Sequence, residues 1–181
     1  MEKEEQMLTN NFYKAVAGAL CDNTERNMHE MVRTNGTVTK DLSTSAVHAE
    51  MNPFCYSTNV YSANTSQLLG TNGGGIIIGT GTTPPTVNDY KLENQITSGF
   101  GSTTSFPNSY SAVYNAKGIV SCCTITNSSQ TDNLVINEIG YIKGRAGYWN
   151  ILYDRIVLDT PITIAPGATK TIEYRLNMPK T

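Results

Sequence analysis

Residues 73–94 read GGGIIIGTGTTPPTVNDYKLEN, and the interpretation of this stretch decides the fold. Glycines on both sides of three isoleucines suggest at first a nucleotide-binding loop. A dinucleotide fingerprint, however, requires G-x-G-x-x-G at the start of a helix, and a phosphate loop requires G-x-x-x-x-G-K followed by Ser or Thr. Neither pattern is present, and Pro84 and Pro85 lack the amide donors that a phosphate would need. We therefore interpret residues 76–78 as a buried strand that runs into an extended, proline-rich surface loop.

The composition favours strands and turns over exposed helices. The 181 residues are enough for one domain with a single core. Only 15% of them are charged, and Thr, Ser, Asn and Gly take the place of the Glu and Lys that exposed helix faces usually carry. A net charge of −2 gives no reason to expect nucleic acid as a partner, because phosphate backbones bind clustered Lys and Arg.

The sequence also argues against a membrane partner. It contains no run of about 18 apolar residues. The first residues, MEKEEQML, are acidic where a signal peptide would be basic and then apolar. We therefore expect a protein that is made in a cytoplasm and is not exported by a signal peptide.

One helix is predicted, in residues 9–21, TNNFYKAVAGALC. Candidate N-cap residues are Thr9, Asn10 and Asn11. The apolar stripe of the helix must rest either on the protein's own sheet or on a neighbouring subunit, because so short a helix is not stable alone. Candidate partner-docking residues on this stripe are Phe12, Val16 and Leu20.

Residues 1–22 are predicted to be an N-terminal docking segment. Residues 1–8 are too charged, as a segment, to enter a core, so a neighbouring subunit is the expected restraint on them. On this interpretation, deleting residues 1–20 would leave the β-domain folded and would abolish assembly.

The remainder, residues 23–181, is predicted to be a single antiparallel β-sandwich of jelly-roll or immunoglobulin-like type. Asn35-Gly36, between two extended arms, is the strongest hairpin signal, and Gly36 is expected to have a positive φ. Further strands are predicted from apolar runs bounded by Gly, Pro, Asn or Ser: 56–61, 75–80, 95–99, 109–115, 119–127, 134–142, 148–158, 162–165 and 169–178.

The C-terminal strands carry the clearest alternation of apolar and polar residues. The apolar positions are Ile172, Tyr174, Leu176 and Met178. Pro161 can open a preceding strand and Pro166-Gly167 suits a turn, so residues 162–165 are the expected hairpin partner of this strand. In LVINEIGYIK the apolar parity shifts before Ile139, which indicates either a bulge near Glu138 or burial of both faces.

Histidines and cysteines do not form a recognisable reactive motif. The histidines are His29 and His48, and neither sits in a motif that pairs it with a nucleophile, a carboxylate or a second metal ligand. The cysteines lack the C-x-x-C spacing of a zinc site and are best explained as buried thiols, with a disulfide as the main alternative. They are Cys21, Cys55, Cys122 and Cys123.

Two carboxylates flank an arginine in YDRIVLDTP. As an acid–base pair or a calcium site, Asp154 and Asp159 would be functional residues. A structural role is favoured, in which Arg155 or Arg175 balances their charge across the sheet. We therefore predict no catalytic, cofactor-binding or metal-binding residue, and a protein that is not an enzyme.

The motif GRAGYWN places Tyr148 beside Trp149, the only tryptophan. Aromatic rings on a loop can stack on a sugar or anchor an interface. Alternatively, one ring lies in the core and the other covers a sheet edge. These two residues are the candidate glycan or interface patch.

Four stretches together resemble small virion structural proteins of tailed bacteriophages. They are MLTNNFYKAVAGAL, IIIGTGTTPPTVNDYKLEN, NLVINEIGYIK and DRIVLDTPITIAPGATKTIEYRL. The resemblance implies a β-rich, non-enzymatic subunit of a head fibre, head decoration, neck or tail, located in the virion and partnered by copies of itself and other virion proteins. It also implies that Asp89, Tyr90 and Leu92 hold the proline-rich loop in place. The alternative is a receptor-binding module of a phage fibre with a host-surface glycan as its partner.

Overall fold

The computed structural model describes residues 6–20, 30–39, 74–104, 119–145 and 149–176. Within these ranges the protein is mostly β, with antiparallel pairing throughout and one short helix, as the composition predicts. The elements are β1 (Gln6–Leu8), α1 (Asn10–Leu20), β2 (Met31–Val32), β3 (Val38–Thr39), β4 (Gly74–Gly79), β5 (Phe100–Thr104), β6 (Ile119–Asn127), β7 (Leu134–Arg145), β8 (Trp149–Ile164) and β9 (Thr169–Leu176).

Two sheets and a hairpin account for the strands. The large sheet has the order β1-β8-β7-β4, the small sheet has the order β5-β6-β9, and β2 pairs with β3. The main cluster of buried side chains takes members from both sheets, among them Ile76, Ile139 and Tyr153 from the large sheet and Ile125 and Ile172 from the small one. The main core is therefore shared by the two sheets.

The N-terminal residues belong to the large sheet. Gln6 lies opposite Ile156 and Leu8 opposite Asp154, and Leu8 is 8% exposed in the main core. The expectation that residues 1–8 are too charged to enter a core is therefore wrong for β1. The charges of this segment precede Gln6, so an uncharged tripeptide is free to pair with the edge of β8.

Helix α1 begins within the predicted range, and Thr9 is the residue that caps it. The amide of Phe12 donates to the Thr9 hydroxyl oxygen at 3.4 Å, and the Thr9 hydroxyl donates to the carbonyl of Leu152 at 2.7 Å. Asn11 ties the helix to the hairpin, because its side chain donates to the carbonyl of Val32 and accepts from the Val32 amide, at 2.8 and 2.9 Å.

Several strand predictions are confirmed, and the one for residues 95–99 is wrong. The hairpin forms, and Gly36 has a φ of 85°; β4, β6 and β7 also lie where the sequence predicts them. In the predicted strand 95–99, only Gln95 forms an isolated bridge, and the strand begins at Phe100, after Gly99 with its φ of 85°. The predicted strands 56–61 and 109–115, the two histidines, Cys21 and Cys55 lie outside the described residues.

The parity shift in β7 has both of the causes proposed for it. Ile136 lies opposite Ile162, while Glu138 lies opposite Val157, so one residue of β7 faces four of β8 and the register is interrupted. From Glu138 to Ile142 every residue is buried, which shows that both faces of the sheet are covered there.

The predicted C-terminal hairpin is wrong in its pairing. One continuous strand, β8, replaces the two predicted strands 148–158 and 162–165. Pro161 lies within it, in the stretch 158–161 that has no ladder partner, so its missing N–H costs no ladder bond.

The turn at Pro166-Gly167 is present, but it connects two different sheets. β8 pairs with β7 and β1, whereas β9 pairs with β6. Asn127 at the end of β6 holds the crossing, because its side chain donates to the carbonyl of Ile164 and its backbone carbonyl accepts from the Gly167 amide. Ile172 is buried and Thr171 is exposed, as the alternation predicts. The side chain of Leu176 and the whole of Met178 lie outside the description.

Candidate functional site

Among the described residues, a buried site with charged side chains lies on the face of the large sheet that carries Glu138. Ile139 belongs to the main core, so its neighbour Glu138 points to the opposite face. Residues 80–95, called here the cover loop, leave β4 and cross that face. They meet two fully or almost fully buried charged residues, Glu138 at 0% and Arg155 at 3% exposure.

Glu138 is the acceptor on which the two ends of the cover loop converge. One carboxylate oxygen accepts from the amides of Gly81 and Asn94, at 3.1 and 2.8 Å. The other accepts from the amide of Glu93 at 3.1 Å and from Nε of Arg155 at 2.8 Å. A buried carboxylate requires such partners, because burial without them would be very costly.

Arg155 binds the middle of the same loop. Its Nη1 donates to Oδ2 of Asp89 at 2.8 Å, and its Nη2 donates to the carbonyl of Thr83 at 3.1 Å. Nη2 also lies 3.6 Å from Oε2 of Glu93. The guanidinium therefore links β8, β7 and the cover loop through one rigid, planar group.

The two loop carboxylates also shape the loop locally. Asp89 accepts from the amide and the hydroxyl of Thr86, at 3.0 and 2.8 Å. Glu93 accepts from the amides of Thr82 and Thr83 and from the Thr83 hydroxyl, at 2.8, 2.9 and 2.7 Å. Side chains of this kind commonly organise turns by binding nearby backbone amides. We call Asp89, Glu93, Glu138 and Arg155 the charge network.

The environment moves the pKa values of Asp89, Glu93 and Arg155 away from neutrality. Partial burial acts to raise the pKa of Asp89, but hydrogen bonds from Arg155 and Thr86 outweigh it and leave the pKa lowered. Hydrogen bonds from Thr83 lower the pKa of Glu93. Burial opposes the charge of Arg155, yet its bonds to Asp89 and Glu138 raise its pKa. Asp89, Glu93 and Arg155 are therefore held in their charged forms.

The cover loop also has an apolar contact with the sheet. Leu92 is 2% exposed and forms a second buried cluster with Ile77, Ile142 and Leu152. Gly140 lies beneath it, where an added Cβ would come within 3.0 Å of Leu92. The resemblance implied that Asp89, Tyr90 and Leu92 hold the loop; Asp89 and Leu92 do so by these contacts, and Tyr90 lies beside Gly36 of the hairpin.

The glycines of GGGIIIGTG thus have a structural explanation. An added Cβ on Gly79 or Gly81 would overlap with the Glu138 carboxylate. A side chain at either position would displace the carboxylate or the loop. The interpretation as a strand followed by a loop, and not as a helix-linked phosphate site, agrees with the structure.

The sequence offered Arg155 or Arg175 as the partner of Asp154 and Asp159. Arg155 does not take this role, because adjacent strand residues point to opposite faces and its guanidinium binds Glu138 and Asp89. The side chain of Arg175 lies outside the description. Asp154 is buried toward the main core, where the Tyr174 hydroxyl donates to it, and Asp159 is exposed. The available signal for the true pair was that Glu138 is the only acidic residue of β7 and Arg155 the only basic residue of β8.

The other candidate residues are only partly described. Phe12 is 2% exposed and packs edge to face on Tyr153, with ring centroids 5.9 Å apart. Of the two predicted contacts for this residue, the protein's own sheet and a neighbouring subunit, Phe12 therefore makes the first. Val16 and Leu20 lie in α1, and Trp149 is the first residue of β8, opposite Arg145. The side chains of these three residues lie outside the description, and so does the whole of Tyr148. Cys123 is a buried thiol.

A surface patch forms where the cover loop meets α1. The amide of Asn10 donates to the carbonyl of Val87 at 2.7 Å, and its side chain donates to Asn88 at 2.9 Å. Tyr13 and Val87 are 49% and 41% exposed on these two elements. We call Asn10, Tyr13, Val87 and Asn88 the α1–loop patch; it is uncharged and partly apolar.

The described part of the chain is thus an antiparallel β protein with a loop fixed by a buried charge network. Comparison with protein-family models, with curated proteins and with solved structures finds no match. No group of three or more His, Cys, Asp or Glu residues in the described ranges is placed to hold a metal ion. Among the residues that the structure describes, no helix is long and apolar enough to cross a membrane.

Proposed function

We propose that this chain is a non-enzymatic structural subunit of a tailed-phage virion, and that it assembles as a homo-oligomer on the head, the neck or the tail. The four sequence stretches that resemble such proteins support this assignment. The structural observation that carries it is the α1–loop patch, an uncharged surface presented by a loop whose conformation is fixed from below by the charge network.

We further propose that the two sheets pack face to face as an antiparallel β-sandwich. The support is the main core, to which Tyr141 and Tyr174 contribute from the large and the small sheet. Their rings stack with centroids 5.6 Å apart and planes 7° apart. Such contacts between inner faces are typical of β-sandwiches.

A structural role for the charge network supports a function without catalysis. General acid–base catalysis works best when a group has a pKa near the operating pH. In the network, hydrogen bonds instead lower the pKa values of Asp89 and Glu93. The bonds of these carboxylates go to the loop backbone and to Arg155, which suits a group that fixes a conformation.

The α1–loop patch suits contact with another copy of the chain. Exposed apolar side chains surrounded by uncharged polar groups are common in protein interfaces, in which charged residues are depleted at the centre. A fixed loop loses little conformational entropy on association. Asn10 and Asn88 can supply hydrogen bonds at the rim, while Tyr13 and Val87 supply apolar area.

Sedimentation velocity on the purified chain tests the assembly. We expect the unmodified chain to sediment as an oligomer and Val87→Asp to shift it toward the monomer, because a charge would be buried at the interface. Val135→Asp is the matched control, since Val135 is also an exposed apolar residue, at 37%, but lies on β7. An unmodified chain that is monomeric at all concentrations, or equal effects of the two variants, would argue against assembly through this patch.

Location on the particle requires a separate measurement. If particles of a phage that carries this gene are purified, quantitative mass spectrometry should find the chain in several copies per particle. Its absence from purified particles would rule out the virion assignment, whatever the oligomeric state of the isolated chain.

A further inference from the structure

The cover loop is attached to the large sheet mainly through charged groups. Six contacts join the cover loop to Glu138 and Arg155. Glu138 accepts from the amides of Gly81, Glu93 and Asn94. Arg155 contacts the carbonyl of Thr83 and the carboxylates of Asp89 and Glu93. Its buried apolar anchor in the second cluster is Leu92. The strands below the loop, by contrast, are joined by backbone ladders and by the main core.

The charges around Arg155 are unbalanced. The cover loop contributes Asp89 and Glu93, β7 contributes Glu138, and β8 contributes Arg155 itself, so three negative charges and one positive charge leave −2. The ammonium of Lys91 is directed to the ring of Tyr90, 5.8 Å from its centroid. If Asp89 and Glu93 become neutral, Arg155 keeps Glu138 as its countercharge but loses its ionic contacts with the loop, which weakens the attachment of the loop to the sheet.

We propose that the cover loop is a releasable strap, which opens as a unit from a still folded large sheet when its carboxylates Asp89 and Glu93 lose their charge. Opening hydrates Arg155 and uncovers the apolar side chains of Ile77, Ile142 and Leu152. The sheet stays folded because its ladder and the main core do not depend on these charges.

The direction of the pH dependence follows from Asp89. Its ordinary pKa is 3.8, and hydrogen bonds in the closed loop lower that pKa further. The contribution of Asp89 to closure is therefore complete above about pH 4 and is lost as the pH falls through the lower, closed-state pKa. Glu93 acts in the same direction, because its pKa is also lowered in the closed loop.

Amide hydrogen exchange on the full chain, resolved by NMR, tests the proposal. The reporters are the amides of Gly81, Glu93 and Asn94, and the reference amides are those of the paired residues of β7 and β8. As the pH is lowered from 6 to 3, we expect protection factors, corrected for intrinsic exchange, to fall roughly tenfold to a hundredfold in the loop, as for loss of bonds to charged groups. Protection in the reference strands should change much less.

Asp89→Asn at pH 7 provides an independent test, because it removes the charge and keeps the shape. Loop protection should fall relative to the control Asp159→Asn, which neutralises an exposed carboxylate. Binding of an apolar dye should rise in Asp89→Asn, since the second cluster is uncovered. The proposal is overturned if loop and strand amides lose protection together in the acid series. It is also overturned if the loop amides have equal protection factors in Asp89→Asn and Asp159→Asn.

Discussion

Among single residues, Glu138 and Arg155 have the largest consequences for the structure. A buried ion pair adds little net stability compared with apolar residues of the same size, because both ions lose their hydration. It does penalise every conformation that separates the ions without hydrating them. The pair therefore specifies where the cover loop lies, and the apolar contacts of Leu92 add to its stability.

Arg155→Met should destabilise the protein strongly, since it leaves Glu138 buried without its countercharge. We expect a loss of about 3–5 kcal/mol in the free energy of unfolding, measured by urea denaturation. Lys170→Met, an exposed change of the same type on β9, should have little effect. Adding Glu138→Gln to Arg155→Met should recover part of the loss, and a double variant less stable than Arg155→Met would contradict this explanation.

Burial of Tyr141 makes the free energy of unfolding depend on pH in the alkaline range. Burial raises the pKa of Tyr141 to about 12, from an ordinary 10.0. The unfolded chain therefore ionises first, so the contribution of Tyr141 is complete below pH 10 and is lost as the pH rises toward 12. At pH 11 the loss from this residue should be about 1 kcal/mol.

Urea denaturation at pH 7 and pH 11 measures this effect. The variant Tyr141→Phe cannot ionise, so it should lose less stability between the two pH values than the unmodified chain. Equal losses would show that Tyr141 is already hydrated in the folded state.

Among the elements, β9 follows its sequence pattern closely. Its successive residues alternate between the main core and solvent, from exposed Thr171 through buried Ile172 to exposed Glu173. Such a strand needs only a partner edge, which β6 supplies.

Ile172→Ala and Thr171→Ala, compared by thermal and urea denaturation, test the assignment of faces. Ile172→Ala leaves a cavity in the main core and should cost about 2–5 kcal/mol. Thr171→Ala removes one exposed cross-strand contact with Thr124 and should cost less than about 1 kcal/mol. Similar costs for the two variants would mean that the strand presents its faces differently.

On the scale of the whole molecule, the N-terminal segment contributes to the main core. β1 extends the large sheet, and Leu8, Phe12 and Ala15 are buried in the main cluster. The exposed side of α1 carries Tyr13, so one helix can stabilise its own sheet and present a surface to another subunit at the same time.

Deletion of residues 1–20 should therefore destabilise the fold, contrary to the expectation from sequence that the β-domain would be unaffected. The loss of Phe12 alone should cost about 3–5 kcal/mol. Deletion of residues 1–5 is the control, because it leaves β1 and α1 intact. A melting temperature for the longer deletion equal to that of the control would show that the N-terminal elements are dispensable for folding.

The sequence by itself determined those features that depend on a few neighbouring residues. Helix α1 follows from its capping residue and apolar spacing, the hairpin from Asn35-Gly36, and β4 and β6 from short apolar runs between turn residues. These features are predictable because backbone propensity and side-chain periodicity act within one turn of helix or one strand.

Only the tertiary structure decided which strands and charges are partners. The Pro166-Gly167 turn has the chemistry of a hairpin, yet β8 and β9 enter different sheets. The Asn127 side chain binds the carbonyl of Ile164 at the end of β8, and β9 pairs with β6. Arg155 binds Glu138, 17 residues away, and Asp89, 66 residues away, and not its neighbour Asp154. The physical reason is that alternation sends adjacent strand residues to opposite faces, while the groups that share a face are brought together only by the register of distant strands.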